Sequence, residues 1–204
     1  DGIIHFSDAD VQEYAALFDS RNADLSMIKF VPASGAASRM FKDLIDVEQN
    51  YNQSEKKIGF AHITKCLDNV GKLALAGALS QVLKKDGLDL RTLVEQKDYA
   101  TLAKYILQPN GLGYQQKPKA MLLFHGYPEG ARTAFEEHLV EGALYAKDKD
   151  GNVNVHFTVS PEHRALFEKL VAEKAQGYAA QHNATFDISF SEQKSSTDTV
   201  AANA

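Results

Sequence analysis

The sequence predicts an α/β protein, a three-layer α/β/α domain with a mostly parallel sheet and a helical insertion near residues 43–116. Two patterns predict it. On either side of residues 54–107, strand-like and helical segments alternate, and this order is typical of right-handed βαβ units. Residues 54–107 themselves carry almost only helical periodicity. With 204 residues, 44% hydrophobic and 24% charged, the chain has an ordinary globular composition.

The N-terminal elements are predicted to be a helix, a strand and a second helix. Ser7 or Asp8 can cap the first helix. Residues 28–31 are the first predicted strand. A run of small residues at 32–37 follows the strand, and the second helix is expected to start near Ser38. The apolar face of the first helix consists of Val11, Tyr14, Ala15 and Phe18.

Three helical segments are predicted within residues 54–107. Gly87 stops the second segment, Asp98 caps the third, and a cluster of helix breakers at 108–113 ends the region. We therefore expect a helical insertion or subdomain here. The apolar positions that mark the segments are Ile58, Ala61, Ile63, Cys66 and Val70; Leu73, Ala76, Leu79 and Leu83; and Tyr99, Leu102, Ala103 and Ile106.

The chain returns to alternating elements after the helical region. Residues 120–124 are a short extended run, and a helix is predicted over residues 133–146. Alternating apolar residues predict a strand over residues 153–159. Ser160 and Pro161 favour a helix start, because a hydroxyl can cap a helix and proline fits its first turn. The last predicted strand carries Phe186, Ile188 and Phe190.

The net charge and the single cysteine limit the binding partners and the cellular compartment that the sequence predicts. The 22 Lys and Arg residues against 27 Asp and Glu residues give a net charge of −5, which offers no general attraction to nucleic acid or anionic membranes. The apolar runs are too short to span a bilayer. Cys66 is the single cysteine, so no disulfide can form within the chain. This favours a reducing compartment, and we predict a cytoplasmic location.

The small-residue turn after the first strand is the strongest candidate for a ligand site. In open parallel sheets, ligands bind beyond the carboxyl ends of the strands. Small side chains let a ligand approach the backbone, and the start of a helix favours a phosphate group. Arg39 adds a planar cation that can grip two phosphate oxygens. The alternative is a tight turn with Arg39 in solvent. His125, just after the run at 120–124, either faces the same cleft or lies on the surface.

Four sequence elements resemble those of sugar-phosphate nucleotidyltransferases. Residues 33–40, Ala-Ser-Gly-Ala-Ala-Ser-Arg-Met, resemble that family's Gly-x-Gly-Thr-Arg-Met/Leu signature. Residues 117–122 resemble its Pro-Lys-x-Leu element, residues 126–128 its Gly-x-Pro, and residues 190–197 its later Gln…Gly-Thr stretch. The elements occur in the family's order. The resemblance implies a nucleotide-diphospho-sugar transferase-like fold.

The same resemblance implies a role for each residue. Arg39 would bind the outer phosphates of a nucleoside triphosphate, and Lys119 the reacting phosphate or the sugar phosphate. Gln193 and Thr197 would contact the base, and Mg²⁺ would bridge the phosphates. The alternatives are a solvated strand flank for Lys119 and a polar strand end for Gln193 and Thr197. The turn residues whose backbone would hold the nucleotide are Ser34, Gly35, Ala36, Ala37 and Ser38.

The chain resembles another family more closely and over nearly its whole length, the domain of unknown function 4301. Residues 32–42, 133–138 and 156–161 carry this resemblance. That family has no established activity to carry over to this chain. We expect one α/β domain over residues 1–204, with the helical insertion within it.

The chain departs from the nucleotidyltransferase pattern in three ways. Ala37 replaces a glycine, and the helical insertion separates Arg39 from Lys117 by 78 positions. The chain also ends before the strand on which those enzymes carry a metal-binding aspartate. We therefore expect a fragment, truncated at the C-terminus, that binds nucleotide weakly and releases no pyrophosphate.

Three functions follow as hypotheses. The first is a nucleotidyltransferase-like enzyme that transfers a nucleotidyl group from a nucleoside triphosphate to a sugar phosphate. The second is a non-catalytic module that binds a nucleotide or nucleotide sugar. The third is a scaffold that binds another protein through its helical insertion. An aspartate on a further strand would favour the first, and nucleotide binding without turnover the second.

Overall fold

The computed structural model describes residues 2–22, 25–37, 39–52, 60–194 and 196, and shows a mixed α/β protein. The strands are β1 (Ile28–Pro32), β2 (Leu123–Tyr127), β3 (Gly130–Thr133), β4 (Asn152–Val159) and β5 (Thr185–Glu192). The helices are α1 (Asp8–Arg21), α2 (Lys42–Asn50), α3 (Ala61–Asp68), α4 (Ala76–Lys85), α5 (Leu90–Glu95), α6 (Tyr99–Leu107), α7 (Ala134–Tyr145) and α8 (Arg164–His182).

The chain divides into two compact units. Residues 33–137 form the first, called here the helical unit, and residues 1–32 with 138–204 form the second, called the sheet unit. The predicted insertion at 43–116 lies inside the helical unit. Among the described residues, no helix is both long and apolar enough to cross a membrane.

Three parallel strands form the sheet of the sheet unit, in the order β1–β4–β5. The prediction of a parallel sheet is therefore confirmed. The central strand β4 pairs Val155 with Lys29 of β1 and with Ile188 of β5. Burial alternates strictly along β4, because successive side chains point to opposite faces of a strand. The buried residues are Val153, Val155, Phe157 and Val159.

The two faces of this sheet differ in character. On the apolar face, the Phe157 ring lies 6.3 Å from that of Phe167 on α8 and 5.9 Å from that of Phe190 on β5. On the opposite face, both ring nitrogens of His156 lie 2.8 Å from serine hydroxyls, those of Ser189 and Ser191. One face therefore holds the core of the sheet unit, and the other carries a polar hydrogen-bond network.

Helix α1 begins where the sequence predicts. Ser7 caps it, and the Asp10 side chain accepts a hydrogen bond from the Ser7 backbone in return, which forms a capping box. The expected apolar face is not buried, since α1 has no buried residue and Val11, Tyr14 and Phe18 are exposed. Local capping rather than core packing accounts for the position of this helix start.

The helical unit has a core drawn from α2, α3, α4, α5 and α6. Helix α6 is the most deeply buried, because six of its nine residues are buried. Asp98 caps it as predicted and accepts a hydrogen bond from the Thr101 backbone. Burying one leucine side chain typically contributes about 1.5–3 kcal/mol to stability. The fully buried leucines described in this core are Leu67, Leu79, Leu83, Leu102, Leu107 and Leu122.

The extended run predicted at 120–124 is displaced in the structure. Residues 119–121 form a short 3-10 helix, and strand β2 begins at Leu123. Among the described residues, this strand pairs antiparallel with β3 alone, which the sequence pattern did not predict. The hairpin leads directly into α7. Taken with the parallel sheet, the helices confirm the predicted α/β class. The nucleotide-diphospho-sugar transferase-like fold stays a prediction.

Candidate functional site

The small-residue turn at 33–37 follows β1, as predicted. Ala33 and Ala37 are buried and anchor its ends, whereas Gly35 and Ala36 are exposed. Among the described residues, none accepts a hydrogen bond from the backbone N–H groups of Ser34, Gly35 or Ala36. A Cβ atom built on Gly35 would meet nothing within 4 Å, so the space above this backbone is open. The turn can therefore present several backbone donors to a ligand.

The turn lies against the segment 117–119, which the sequence places far away. The backbone N–H of Lys119 donates to the carbonyl of Gly35 at 3.0 Å. Ala36 and Pro118 form an isolated antiparallel bridge beside this bond. The structure therefore brings together the turn and the segment that carries Lys119, two regions far apart in the sequence.

Three cations lie in these two segments or next to them. Arg39 and Lys119 are exposed, and neither forms an ion pair with any residue that the structure describes. Lys117 is half-buried, and burial lowers the pKa of its ammonium. Its Nζ atom lies 5.8 Å from the centroid of the Tyr114 ring. We call residues 33–37, Arg39 and 117–119 together the turn site.

The helix expected near Ser38 does not begin there. Helix α2 begins at Lys42, and the N–H groups of Met40 and Phe41 both donate to the carbonyl of Ala37. Phe41 is the N-cap residue of α2 and is buried in the core of the helical unit. The predicted helix start near Ser38 is therefore wrong by about four positions. Phosphate binding at the turn stays a prediction, with the turn's own amides and the nearby cations as its donors.

The other predicted contacts lie elsewhere. Ser38 and Thr197 are outside the described residues. Gln193 belongs to the sheet unit and follows β5, and its backbone N–H donates to the carbonyl of Val159 at 2.9 Å. The roles of Gln193 and Thr197 in binding a base stay predictions.

A second group of polar residues lies on the β2–β3 hairpin and the start of α7, where the sequence pattern indicated only His125. Arg132 Nη1 lies 3.6 Å from Glu137 Oε2, and Arg132 Nη2 lies 2.8 Å from Glu129 Oε1. The Arg132 guanidinium also lies 4.0 Å from the Tyr127 ring centroid, which gives a cation–π contact. His125 Nδ1 lies 3.3 Å from Glu137 Oε1. We call His125, Tyr127, Arg132 and Glu137 the hairpin cluster.

Glu137 is the centre of the hairpin cluster. It is only 8% exposed, and its Oε1 atom has no hydrogen-bond partner of good geometry among the described residues. Its carboxylate raises the pKa of the Tyr127 phenol, chiefly through a hydrogen bond to the neutral form. An acid beside an imidazole can hold that ring in one orientation and leave its other nitrogen for proton transfer.

The signal that could have located the hairpin cluster was in the segment 133–138, which contains two adjacent glutamates. The structure separates their roles. The Glu136 side chain accepts hydrogen bonds from the backbone and the hydroxyl of Thr133, each at 2.8 Å, so it is a capping residue of α7. Glu137, one position on, faces Arg132 instead. Sequence spacing alone does not tell these two carboxylates apart.

The residues of the turn site do not fit a protein-bound Mg²⁺ ion. Mg²⁺ takes oxygen ligands, usually one or two carboxylates with waters and substrate phosphates. The turn site offers backbone N–H groups, which cannot coordinate a metal ion, and cations, which repel one. Within the described parts of the chain, no three His, Cys, Asp or Glu side chains form a group that could hold a metal.

The structure shows a mixed α/β protein with a small-residue turn beside exposed cations and a charged cluster centred on the buried Glu137. The family model for the domain of unknown function (DUF4301) matches residues 1–204, the full length of the chain. The chain therefore belongs to that family. No curated protein and no solved structure matches it.

Proposed function

We propose that the chain binds the phosphate groups of a nucleoside triphosphate or nucleotide sugar at the turn site, as a nucleotidyltransferase-like protein. The single observation that carries this proposal is the hydrogen bond from the Lys119 backbone to Gly35. It joins two motifs that are distant in sequence and that contain the residue types which bind phosphate.

The chemistry of the turn site supports an anion as the ligand. Backbone N–H groups and a guanidinium are strong donors to phosphate oxygens. The exposed cations Arg39 and Lys119 can change position to meet a ligand without breaking an ion pair described in the structure. Sugar-phosphate nucleotidyl transfer depends mostly on such positioning and charge stabilisation.

A non-catalytic binding module is the second candidate function. The turn site supplies donors and positive charge but no carboxylate in its described part, whereas a nucleotidyl transfer step needs the phosphate charge offset by a metal ion. Under this alternative the chain binds the same ligand class without turnover. Mg²⁺ would then arrive only as the ion carried by the triphosphate.

Titration calorimetry with ATP, GTP, CTP and UTP tests the binding proposal. We expect Arg39→Ala to raise the dissociation constant of the bound triphosphate about ten- to a hundredfold, because a charge-assisted contact contributes about 1.5–3 kcal/mol. The matched control is Arg91→Ala, since Arg91 is exposed on α5 and pairs only with Glu95 among described residues. Equal affinities in all three proteins would refute phosphate binding at Arg39.

Pyrophosphate release then separates the enzyme from the binding module. The unmodified chain is incubated with each triphosphate, a panel of sugar 1-phosphates and Mg²⁺. Release that Arg39→Ala abolishes supports an enzyme. Binding that Arg39→Ala weakens, with no release from any pair, supports the module.

A further inference from the structure

The helical unit contains an apolar pocket of about 280 Å³, separate in its chemistry from the turn site. Its walls come from α2, α3, α6 and the segments 73–75 and 122–124. Leu44, Leu67 and Val70 are among the lining residues, and none of the described lining residues is charged. We call this feature the apolar pocket.

The lining of the apolar pocket favours an apolar occupant over water. A buried water needs two to four polar partners. The lining side chains offer the hydroxyl of Tyr114, the thiol of Cys66 and the thioether of Met40. The Tyr114 hydroxyl already accepts a hydrogen bond from the Leu123 backbone at 3.3 Å. Too few polar groups are therefore left to hold water molecules.

The apolar pocket has an entrance from solvent. It shares Leu73, Ala74, Leu123 and Phe124 with a neighbouring open groove of about 680 Å³. Leu73 and Phe124 are exposed, although both are large and hydrophobic. These exposed lining residues place the mouth of the apolar pocket at the protein surface, beside the groove.

Size and chemistry together define the ligand class. An apolar cavity of about 150 Å³ accommodates one benzene molecule. A pocket of about 280 Å³ has nearly twice that volume. We infer that the apolar pocket is a binding site for an uncharged hydrophobic small molecule, about the size of two fused aromatic rings or a short branched hydrocarbon.

The single cysteine of the chain makes this inference directly testable. Cys66 lines the apolar pocket yet is exposed, so a bound molecule should change the rate at which its thiol reacts. Because the chain has no other cysteine, the measured rate belongs to Cys66 alone. Naphthalene is the probe, with benzene and pyrene as smaller and larger comparisons. We expect naphthalene to slow the reaction of Cys66 with a disulfide reagent at least threefold, and benzene and pyrene to slow it less at equal concentration.

A matched pair of variants distinguishes naphthalene bound in the apolar pocket from naphthalene bound in the groove. Ala74 lines both the apolar pocket and the groove, whereas Ala78 lines the groove but not the pocket. We expect Ala74→Leu to weaken naphthalene binding at least tenfold, because the added carbons occupy the pocket, and Ala78→Leu to leave it within twofold. Binding is followed by naphthalene fluorescence, and circular dichroism checks that each variant folds.

Two results would overturn the inference. The first is an unchanged Cys66 reaction rate in the unmodified chain at the solubility limit of naphthalene. The second is naphthalene binding that survives in a folded Ala74→Leu chain. If Ala74→Leu does not fold, the thiol measurement on the unmodified chain decides the matter alone.

Discussion

The turn site and the hairpin cluster are both charged regions of the helical unit, and they differ in how their charges are compensated. In the hairpin cluster, the Arg132 side chain is 16% exposed and lies between two glutamates and a tyrosine ring. At the turn site, Arg39 and Lys119 are exposed and form no ion pair with the described residues.

This difference separates charges that stabilise the fold from charges that can meet a ligand. Removing one partner of a buried ion pair is costly, because the remaining charge stays desolvated. An exposed cation keeps its hydration and contributes little to stability. Substitutions in the hairpin cluster should therefore lower stability, and those at the turn site should lower ligand affinity and leave stability unchanged.

The largest effect is expected for Glu137→Gln. Arg132 would lose its buried carboxylate partner, and we expect the free energy of unfolding to fall by about 3 kcal/mol. Glu129→Gln is the control, because Glu129 pairs with the same arginine but its side chain is 58% exposed. Its loss should cost less than about 1 kcal/mol. Urea unfolding followed by circular dichroism measures both, and equal losses would contradict the assignment of Glu137 as the buried partner.

A smaller effect, on binding alone, is expected for Gly35→Val. A Cβ atom added at this position meets no described atom within 4 Å, so the free energy of unfolding should change little. A ligand that approaches the turn backbone would be blocked, and we expect triphosphate affinity to fall at least tenfold, or about 1.4 kcal/mol. Gly71→Val is the control, since a Cβ there also meets nothing within 4 Å. Calorimetry that finds the same affinity for both variants would remove Gly35 from the binding surface.

Lys119→Ala should have a weaker effect on binding. The Lys119 ammonium is an exposed point charge, so its contact with phosphate is screened by solvent and salt. We expect triphosphate affinity to fall about threefold to tenfold, with a smaller fall at high salt. Lys85→Ala, at the exposed end of α4, is the control. An effect of Lys119→Ala that did not depend on salt would contradict a direct charge contact.

The smallest effect concerns the titration of Tyr127. The Glu137 carboxylate raises the pKa of this phenol, so Glu137→Gln should lower that pKa toward its usual value of about 10. Because the folded-state pKa lies above the unfolded one, this group stabilises the fold below about pH 10. The contribution is lost as the pH rises through the folded-state pKa. The ultraviolet phenolate absorbance, with Tyr127→Phe subtracted, measures the shift, and an unchanged pKa in Glu137→Gln would refute the contact.

Local signals account for the parts of the fold that the sequence predicted well. Ser7 and Asp98 cap helices at the predicted positions, and the breakers at 108–113 follow the end of α6. Alternation of apolar residues predicted β4, whose buried positions are the apolar ones. These signals act within a few residues, so neighbouring side chains are enough to interpret them.

Long-range packing accounts for the errors. The N-cap residue of α2, Phe41, is buried in a core assembled from distant helices, and no local pattern predicts that contact. Strand β3 is only four residues long and exists through its pairing with β2. The apolar face of α1 predicted burial that the structure does not show, because a helical period indicates a face but not a partner for it.

The sequence by itself determined the α/β class, the parallel strand–helix–strand order, the helix starts at Ser7 and Asp98 and the candidate turn with Arg39, because each depends on residues close together in the chain. Only the tertiary structure decided that Lys119 meets Gly35, that Glu137 rather than Glu136 faces Arg132, and that an apolar pocket forms beside Cys66. The physical reason is distance along the chain. Ion pairs, pocket walls and backbone contacts join residues that lie far apart in sequence, and no local pattern encodes which of them will meet.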